Sequence, residues 1–306
     1  MSGKSSGIKP KKTLGDIIFD ILNYSFLLLF TLICVFPFYY IFINTISANN
    51  LVSTGQILLL PRGIHFGNYI QVFSIKGLPL ATFVTIARTV IGTGLTTVCT
   101  AFIAFAIARK ELWHRKLWYR FFLITMYFNA GLIPWYITMK NLGLLNNFLA
   151  YIIGVVNPFN MILLKTYIEN TPLSLQESAE IDGASYLSIF FRILMPLCAP
   201  ILATVTVFTA VGHWNSFMDT VMLMTDSRLF TLQYLLYQYL SEAQALAASM
   251  KNSAMSGAVV IPKERLLTPS SVRMTISMVV VLPILFVYPF FQRYFTKGIM
   301  IGAVKG

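Results

Sequence analysis

Charged residues are scarce in this sequence: Asp, Glu, Lys and Arg make up only 11% of the 306 residues. Soluble domains carry about a quarter of their residues as charges, so the scarcity excludes an ordinary soluble enzyme or binding module. The hydrophobic share is 57% and the mean hydropathy is +0.72, which indicates a polytopic membrane protein. The net charge of +12 does not indicate nucleic-acid binding, because the basic residues punctuate apolar runs instead of clustering on a soluble face.

Cysteines and catalytic signatures are also sparse. Cys34, Cys99 and Cys198 lie in or beside apolar runs without paired spacing, so we expect neither a disulfide framework nor a metal site. The sequence has no Gly-x-x-x-x-Gly-Lys-Ser/Thr phosphate loop, no His-Glu-x-x-His motif and no nucleophile elbow. We therefore predict a chain without catalytic residues that binds no cofactor and takes its energy from elsewhere.

Apolar segments account for most of the chain, and six are long enough to cross about 30 Å of hydrocarbon at about 1.5 Å per residue. They lie near residues 21–46, 80–108, 119–139, 148–168, 198–223 and 271–292. Most of the 23 Lys and Arg fall on one side of these segments, which the positive-inside rule assigns to the cytoplasm. The sequence predicts an all-α integral protein of the cell membrane with six transmembrane helices and both termini in the cytoplasm.

The transmembrane domain, 21–292, includes three loops, and two further segments, 1–20 and 293–306, flank it. We assign a basic N-terminus, a polar loop and a C-terminal tail to the cytoplasm, at residues 1–20, 169–197 and 293–306. Two loops, 47–79 and 225–270, face outward. The second contains an apolar stretch over 229–237, for which we expect an interfacial or re-entrant helix because free coil is costly near lipid.

The cytoplasmic loop 169–197 has the signals of a bent helix pair. Ser174 and Glu177 have the spacing of a capping box, which predicts a helix that starts at Ser174. Gly183 provides a backbone position without Cβ restriction, so we expect the chain to bend there into a second helix that starts near Ala184. Such a polar interruption between apolar segments is typical of a docking loop.

The residues of this pair resemble the signature of the permease subunits of binding-protein-dependent ABC importers. That signature combines Glu-Ala-Ala, Asp-Gly-Ala, Phe, Ile and Leu-Pro at fixed spacings. The chain has Glu177-Ser178-Ala179, Asp182-Gly183-Ala184, Phe190, Ile193 and Met195-Pro196, with Ser178 and Met195 as the departures. The end of the chain is similar to the tail of the maltose-transporter type of carbohydrate permease, in Gln292-Arg293-Tyr294-Phe295 and in Gly302-Ala303-Val304-Lys305-Gly306.

The resemblance implies the type I ABC importer permease fold, a sugar substrate and a defined set of partners. These are a second, related permease, two ATPases that use ATP and Mg, and an external sugar-binding protein. The aromatic stretch from Met126 to Tyr136 resembles the subgroup with lipid-anchored binding proteins that handle complex oligosaccharides.

The resemblance also implies which residues meet the ATPases. The helix pair would enter an ATPase cleft through Glu177, Ala179, Asp182, Gly183, Ala184 and Pro196. The tail would reach between the two ATPases through Gly302, Val304, Lys305 and Gly306. The alternatives are ordinary solvated charges in the loop and a disordered terminus.

Polar side chains within the spans are candidates for the translocation pathway, because lipid disfavours them unless they face protein or water. Asn157 and Asn160 flank Pro158, where we expect a kinked helix. Combinations of ring and amide suit sugar binding, and together these criteria select Arg88, Asn129, Asn157, Asn160, His213, Trp214 and Asn215. In the alternative interpretation, Arg88 snorkels to the interface, the asparagines make helix contacts and the aromatic residues form an interfacial belt.

The competing hypothesis from another class is a secondary carrier driven by an ion gradient. Such carriers usually have related halves and intramembrane carboxylates that bind the coupling ion. Of the 11 Asp and Glu, only Asp219 lies clearly within a predicted span. The sequence therefore favours the importer subunit.

Overall fold

The parts of the chain that the structure describes, residues 13–153, 156–242 and 268–303, are helices joined by turns in this computed structural model, without a β-strand among them. They belong to two compact units, Met1–Tyr69 with Pro262–Met278 and Ile70–Ile261 with Val279–Gly306. The prediction of an all-α chain is confirmed for these residues.

The first unit contains α1 (Leu14–Thr45) and α2 (Asn49–Ser53), together with most of the first outer loop. Helix α1 begins at Thr13, whose hydroxyl accepts from the Asp16 N–H while the Asp16 carboxylate accepts from the Thr13 N–H, a complete capping box. Ile43, Val52 and Ile57 form a buried apolar cluster. The first part of the predicted outer loop, with Val52 and Ile57, thus packs onto the end of α1.

The second unit is built on α4 (Leu78–Ala108), preceded by α3 (Gly67–Phe73) at the unit boundary. After it come α5 (Arg115–Tyr127), α6 (Leu132–Asn141), a 3₁₀ turn at Phe148–Tyr151, α7 (Pro158–Glu169), α8 (Ser174–Ile181), α9 (Tyr186–Leu197), α10 (Ala199–Asn215), α11 (Met218–Leu223), a 3₁₀ turn at Ser227–Leu229 and α12 (232–242). Helix α13 (Thr268–Ala303) contributes its residues up to Met278 to the first unit and those from Val279 to the second. Helix α12 agrees with the helix expected near 229–237.

The core of the second unit lies where α4, α7, α9 and α10 meet. Its buried side chains are mostly small on α4 and larger on the other helices. They include Ala101, Ala104 and Phe105 of α4, Met161 and Leu164 of α7, Ile189 and Phe190 of α9, and Leu202 and Val205 of α10. Small residues allow helices to approach closely where lipid supplies no hydrophobic driving force, which explains why α4 is central.

Three described helical segments are long and apolar enough to cross a membrane: Leu14–Thr45, Leu78–Ala108 and Ser270–Val287. The number of candidate spans rises to five if two successive helices joined by a sharp break are counted as one span, in each of two places. The α5–α6 pair is bent by 117° and the α9–α10 pair by 86°. The predicted span over 119–139 is interrupted, because Gly131 at φ 89° separates α5 from α6 and its N–H donates to the Asn129 side chain.

The predicted kink at Pro158 is wrong, because a helix starts at this residue instead. Asn157 is the N-cap of α7, and its side-chain oxygen accepts from the N–H groups of Phe159 and Asn160. Pro158 occupies the first turn, where its missing N–H costs nothing and its fixed φ suits the helix. In the described part of 148–168, a 3₁₀ turn at Phe148–Tyr151 therefore precedes a helix of 12 residues.

Candidate functional site: a polar cavity and a bent helix pair

A cavity of about 560 Å³ lies in the second unit between α4, α7 and α10. Four of the seven predicted pathway residues line it: Arg88, Asn157, Asn160 and His213. Other polar and aromatic lining residues are Thr96, Trp135, Tyr151, Thr209, Ser216 and Asp219. The structure thus collects side chains from widely separated parts of the sequence at one polar site.

Arg88 forms the most buried charged contact of this site. Its Nη2 lies 2.5 Å from Oδ2 of Asp219 and its Nη1 lies 3.2 Å from Oδ1, a bidentate arrangement that strengthens the pair. The Arg88 side chain is only 2% exposed, and its guanidinium carbon lies 4.4 Å from the centre of the Tyr151 ring. Arg88 therefore does not snorkel to the interface.

The ion pair of Arg88 and Asp219 lies where the helical backbone is interrupted between α10 and α11. Arg88 Nη1 donates to the carbonyl of Ser216, the residue after α10, at 3.3 Å. Asp219 lies in the first turn of α11. A cation at a helix C-terminus and an anion at an N-terminus both interact favourably with the helix dipoles, so the break and the ion pair stabilise each other.

Hydroxyl groups extend this contact into the segment that follows α11. Tyr151 Oη lies 3.0 Å from Thr220 Oγ1 and donates to the Leu229 carbonyl at 2.8 Å. Thr220 Oγ1 in turn lies 3.1 Å from Thr231 Oγ1, and Thr85 Oγ1 accepts from the Leu232 N–H at 2.8 Å. The hydrogen bond of Thr85 attaches the start of α12 to α4, and the contacts of Thr220 and Tyr151 fix the loop that precedes it.

Three buried polar atoms among the lining residues have no hydrogen-bond partner within the described chain. They are Arg88 Nε, Thr209 Oγ1 and His213 Nε2. Buried polar groups without partners are costly, and a water or a hydroxyl-bearing ligand in the cavity would satisfy them. Trp135 adds a ring to the same wall.

The other three predicted pathway residues lie away from the cavity lining. Asn129 is exposed and accepts from the Gly131 N–H. Trp214 is buried, and its indole N–H donates to the Val280 carbonyl at 3.1 Å, a packing role against α13. Asn215 accepts from the Gln233 side chain at 3.3 Å.

Asp219 and Tyr151 are site residues that sequence reasoning missed. The sequence did contain a signal for Asp219. It is the only acidic residue clearly within a predicted span, and Arg88 is a basic residue within a different predicted span. Opposite charges in lipid are expected to pair. No comparable signal marks Tyr151, whose role depends on contacts with Thr220 and Leu229.

Gly92 allows α4 and α10 to meet beside the cavity. A Cβ at this position would lie 2.7 Å from Cε1 of His213, whereas a Cβ at Gly94 would have nothing within 4 Å. We predict that Gly92→Ala lowers the free energy of unfolding by about 1–3 kcal/mol through overpacking and that Gly94→Ala does not. Thermal unfolding in detergent measures both. Gly92→Ala combined with His213→Ala should regain much of the loss, and equal midpoints for the two single variants would contradict the close contact.

A second feature, the bent pair α8 and α9, lies at the other end of α4. Gly183 has φ 79°; its N–H donates to the Glu180 carbonyl, and the Ala184 N–H donates to the Ala179 carbonyl. This is a Schellman motif with glycine at its left-handed position, as expected from the sequence. Helix α9 starts at Tyr186 after the Ser185 cap, two residues later than predicted.

The predicted capping box at Ser174 is wrong. The N-cap is Leu173, whose backbone is already helical and whose side chain cannot cap. The Glu177 N–H donates to the Leu173 carbonyl at 3.1 Å instead of to the Ser174 hydroxyl. The Glu177 carboxylate is therefore not used to start the helix and lies exposed.

The pair has an inner and an outer face. Ala179 and Ala184 pack against the core of the second unit, and Phe190 of α9 is buried within it, 5.4 Å from the Phe102 ring. The outer face presents Glu177, Asp182 and Pro196, all exposed, and Ile181, which is 87% exposed.

Arg109, the residue after α4, holds the two helices of the pair together. Its guanidinium forms an ion pair with Glu180 of α8 and lies 4.3 Å from the centre of the Tyr186 ring of α9. Glu111 lies 3.4 Å from Arg109 Nε. Arg109 is a contact residue that sequence reasoning missed, and nothing in its immediate sequence indicates this role.

The residues predicted to contact the ATPases from the tail lie only partly within the described chain. Gly302 lies in α13, whereas Val304, Lys305 and Gly306 lie outside the described residues. Among the residues that the structure does describe, no group of three or more His, Cys, Asp or Glu could hold a metal ion.

Comparison with known proteins identifies the family. The chain matches no protein-family model. It is 35% identical over 290 residues to the polygalacturonan/rhamnogalacturonan transport system permease protein YtcP of Bacillus subtilis (strain 168), across 94% of this chain and 99% of that protein. A chain in the crystal structure of a bacterial ABC transporter involved in the import of the acidic polysaccharide alginate is 31% identical, with a TM-score of 0.79 over 94% of this chain and 100% of that chain. This chain belongs to the sugar ABC transporter permeases.

The permease is also 34% identical over 292 residues to protein LplC of Bacillus subtilis (strain 168), across 94% of this chain and 95% of that protein. The resemblance drawn from the helix pair and the tail is therefore confirmed at the level of the family. The permease is a membrane protein of carbohydrate transport, and its all-helical fold matches that of an ABC importer permease.

Proposed function

We propose that this permease is a transmembrane subunit of an ATP-driven importer of oligosaccharides, with six transmembrane helices and both termini in the cytoplasm. One observation carries the proposal: α4 joins the polar cavity, at Arg88, to the bent helix pair, at Arg109. The 21 residues between them correspond to about 30 Å of helix, roughly one hydrocarbon thickness. A pathway and a docking surface are thus built on opposite ends of one rigid element.

The bent helix pair is the surface to which an ATPase subunit docks. Its outer face carries Glu177, Asp182, Pro196 and the exposed Ile181, while Ala179 and Ala184 hold its inner face against the core. Gly183 sets the bend between the two helices. The tail residues Gly302, Val304, Lys305 and Gly306 reach between two ATPase copies, which bind the ATP and Mg.

Movement passes from the pair to the cavity as a rigid-body displacement. Arg109 contacts both helices of the pair, and Phe190 packs between Phe102 and Phe105 of α4. A displacement of the outer face of the helix pair would therefore be transmitted to α4 and would not be absorbed by bending of the segment between α8 and α9. Coupled helices that shift together are a common way to alternate between two states.

The cavity suits part of a sugar, shared with a second, related permease and supplied by an external binding protein. His213 and Thr209 carry buried polar atoms without partners, and Trp135 provides a ring for stacking on C–H surfaces. Arg88 is already neutralised by Asp219, so the wall offers hydroxyl recognition without a net charge. YtcP is named for polygalacturonan and rhamnogalacturonan transport, which supports a complex oligosaccharide as the substrate.

The alternative of an ion-driven secondary carrier is not favoured. The only carboxylate clearly within a predicted span, Asp219, is paired with Arg88 in a bidentate contact and is not free to bind a coupling ion. The relatives are named as transport system permeases, and family membership agrees with a subunit that depends on a separate ATPase.

Copurification tests the proposal. We expect the tagged permease, extracted gently from its native membrane, to bring down an ATPase with a phosphate-binding loop and a second permease. Mass spectrometry of the eluate identifies both. Recovery of the permease alone, with no ATPase under any mild extraction, would contradict the proposal.

A further inference from the structure

The cytoplasmic start of α5 forms a basic groove of about 630 Å³ that the proposed function does not use. Six basic side chains line it: Lys110, His114, Arg115, Lys116, Arg120 and Lys165. Leu117 and Tyr119 complete the lining. This concentration of one sign of charge in a concave site creates a strong positive potential that attracts anions.

Two cations of the groove are fixed and partly neutralised. Arg115 and Lys165 share the Glu169 carboxylate, with the Lys165 contact at 2.8 Å. Arg115 Nε also donates to the Ile107 carbonyl at 2.8 Å, and Lys165 lies 4.2 Å from the centre of the Tyr119 ring. These contacts preorganise the floor of the groove.

The remaining charges are not compensated by the described part of the chain. Within it, no carboxylate lies within 4 Å of Lys110, Lys116 or Arg120. The first turn of α5 adds the positive end of a helix dipole, where cations are unfavourable and an anion is favoured. The groove therefore favours an anion, which the described chain does not supply.

Apolar neighbours place this groove at the level of lipid headgroups. Leu117, Trp118 and Phe121 of α5 are exposed, and α5 with α6 is apolar enough to form a broken membrane span. Trp113, also exposed, stacks on His114 at 4.0 Å, and tryptophan is enriched at membrane interfaces. Residues of this kind place the neighbouring groove within reach of a lipid headgroup.

We infer that the groove binds the phosphate headgroup of an anionic phospholipid. The inference rests on the proposed cytoplasmic orientation, because that leaflet carries a negative surface potential. An acidic surface of the ATPase is the rival occupant, but the ATPase surface that receives Glu177 and Asp182 must complement carboxylates and would repel the groove. A bound lipid would hold the turn between α4 and α5 in place, next to Arg109 and the helix pair.

Native mass spectrometry of the delipidated complex, titrated with dioleoyl phosphatidylglycerol, tests this site. We expect Lys110→Gln, Lys116→Gln and Arg120→Gln together to weaken binding by about a hundredfold, because each basic residue near an anionic surface contributes about a factor of five. The matched control removes three exposed cations elsewhere, with Arg62→Gln, Lys76→Gln and Lys140→Gln, and should bind as the wild type does. Dioleoyl phosphatidylcholine should bind at least tenfold more weakly than dioleoyl phosphatidylglycerol to the wild type and to the control, whereas the groove variant should lose most of this preference.

Three results would overturn the inference. Equal phosphatidylglycerol affinity in the groove variant and the wild type would show that the groove is not the site. Displacement of the lipid by inorganic phosphate at equal concentration would identify a site for a soluble anion. Loss of the ATPase from the groove variant without lipid would assign the groove to the protein interface. If the permease purifies alone, the proposed function fails, but lipid binding to the chain can still be measured.

Discussion

Asp219→Ala is expected to destabilise the permease by about 3–5 kcal/mol, the usual cost of removing one partner from a buried ion pair. Arg88 would remain almost fully buried without its anionic partner. Its guanidinium would still donate to the Ser216 carbonyl at 3.3 Å and contact the Tyr151 ring, but neither group carries a negative charge. The break between α10 and α11 would also lose its fixed geometry. Thermal unfolding of the purified permease in detergent measures the loss.

Two comparison variants separate the ion pair from a general effect of charge removal. Asp226→Ala removes a carboxylate that pairs with the exposed Arg228 at 2.8 Å, and exposed pairs contribute little, so the midpoint should hardly change. Arg88→Met combined with Asp219→Leu leaves no unpaired charge and should be much less damaging than Asp219→Ala alone. Equal losses for Asp219→Ala and Asp226→Ala would contradict the buried pair.

Gly183→Val is expected to reduce ATP-coupled transport more than tenfold while the permease still inserts into the membrane. A β-branched residue is strained at φ 79°, by about 1–3 kcal/mol, so the Schellman turn would rearrange and the outer face of α8 would rotate away from the ATPase. The measurements are oligosaccharide uptake and substrate-stimulated ATP hydrolysis by the reconstituted complex.

Gly143 offers a matched control for this strain. It has φ 69°, and a Cβ at Gly143 or at Gly183 would have nothing within 4 Å. Gly143→Val should therefore destabilise the protein to a similar extent without uncoupling it, because Gly143 follows α6 on the predicted outer side. Equal transport by the two variants would contradict the role of the bend.

Glu177→Ala should weaken docking without unfolding α8, since Glu177 does not cap that helix.

The bend of the helix pair could be predicted because its signals are local. A glycine after a short polar helix favours a left-handed end wherever the segment lies in the fold, and Gly183 has that conformation. The capping box failed because Leu173 continued the helical backbone by one residue. For Pro158, the sequence allowed both a kink and a helix start, and only the Asn157 cap decided between them.

The cavity could be predicted only in part, because its membership depends on distant contacts. Arg88, Asn157, Asn160 and His213 were found as polar residues within apolar runs, a criterion that needs no fold. Asp219 pairs with a residue 131 positions away, and the ion pair of Arg109 with Glu180 spans 71 positions. Such pairings follow from how α4 packs against the rest of the second unit, which one sequence does not specify.

Uptake by proteoliposomes tests the central claim most directly, namely that the permease moves sugar when a separate ATPase acts on its helix pair. We predict that the reconstituted complex accumulates labelled oligosaccharide only with ATP inside, with or without an ion gradient, and that Gly183→Val reduces this uptake more than tenfold. Accumulation by the permease alone, driven by an ion gradient without ATP, would contradict the account.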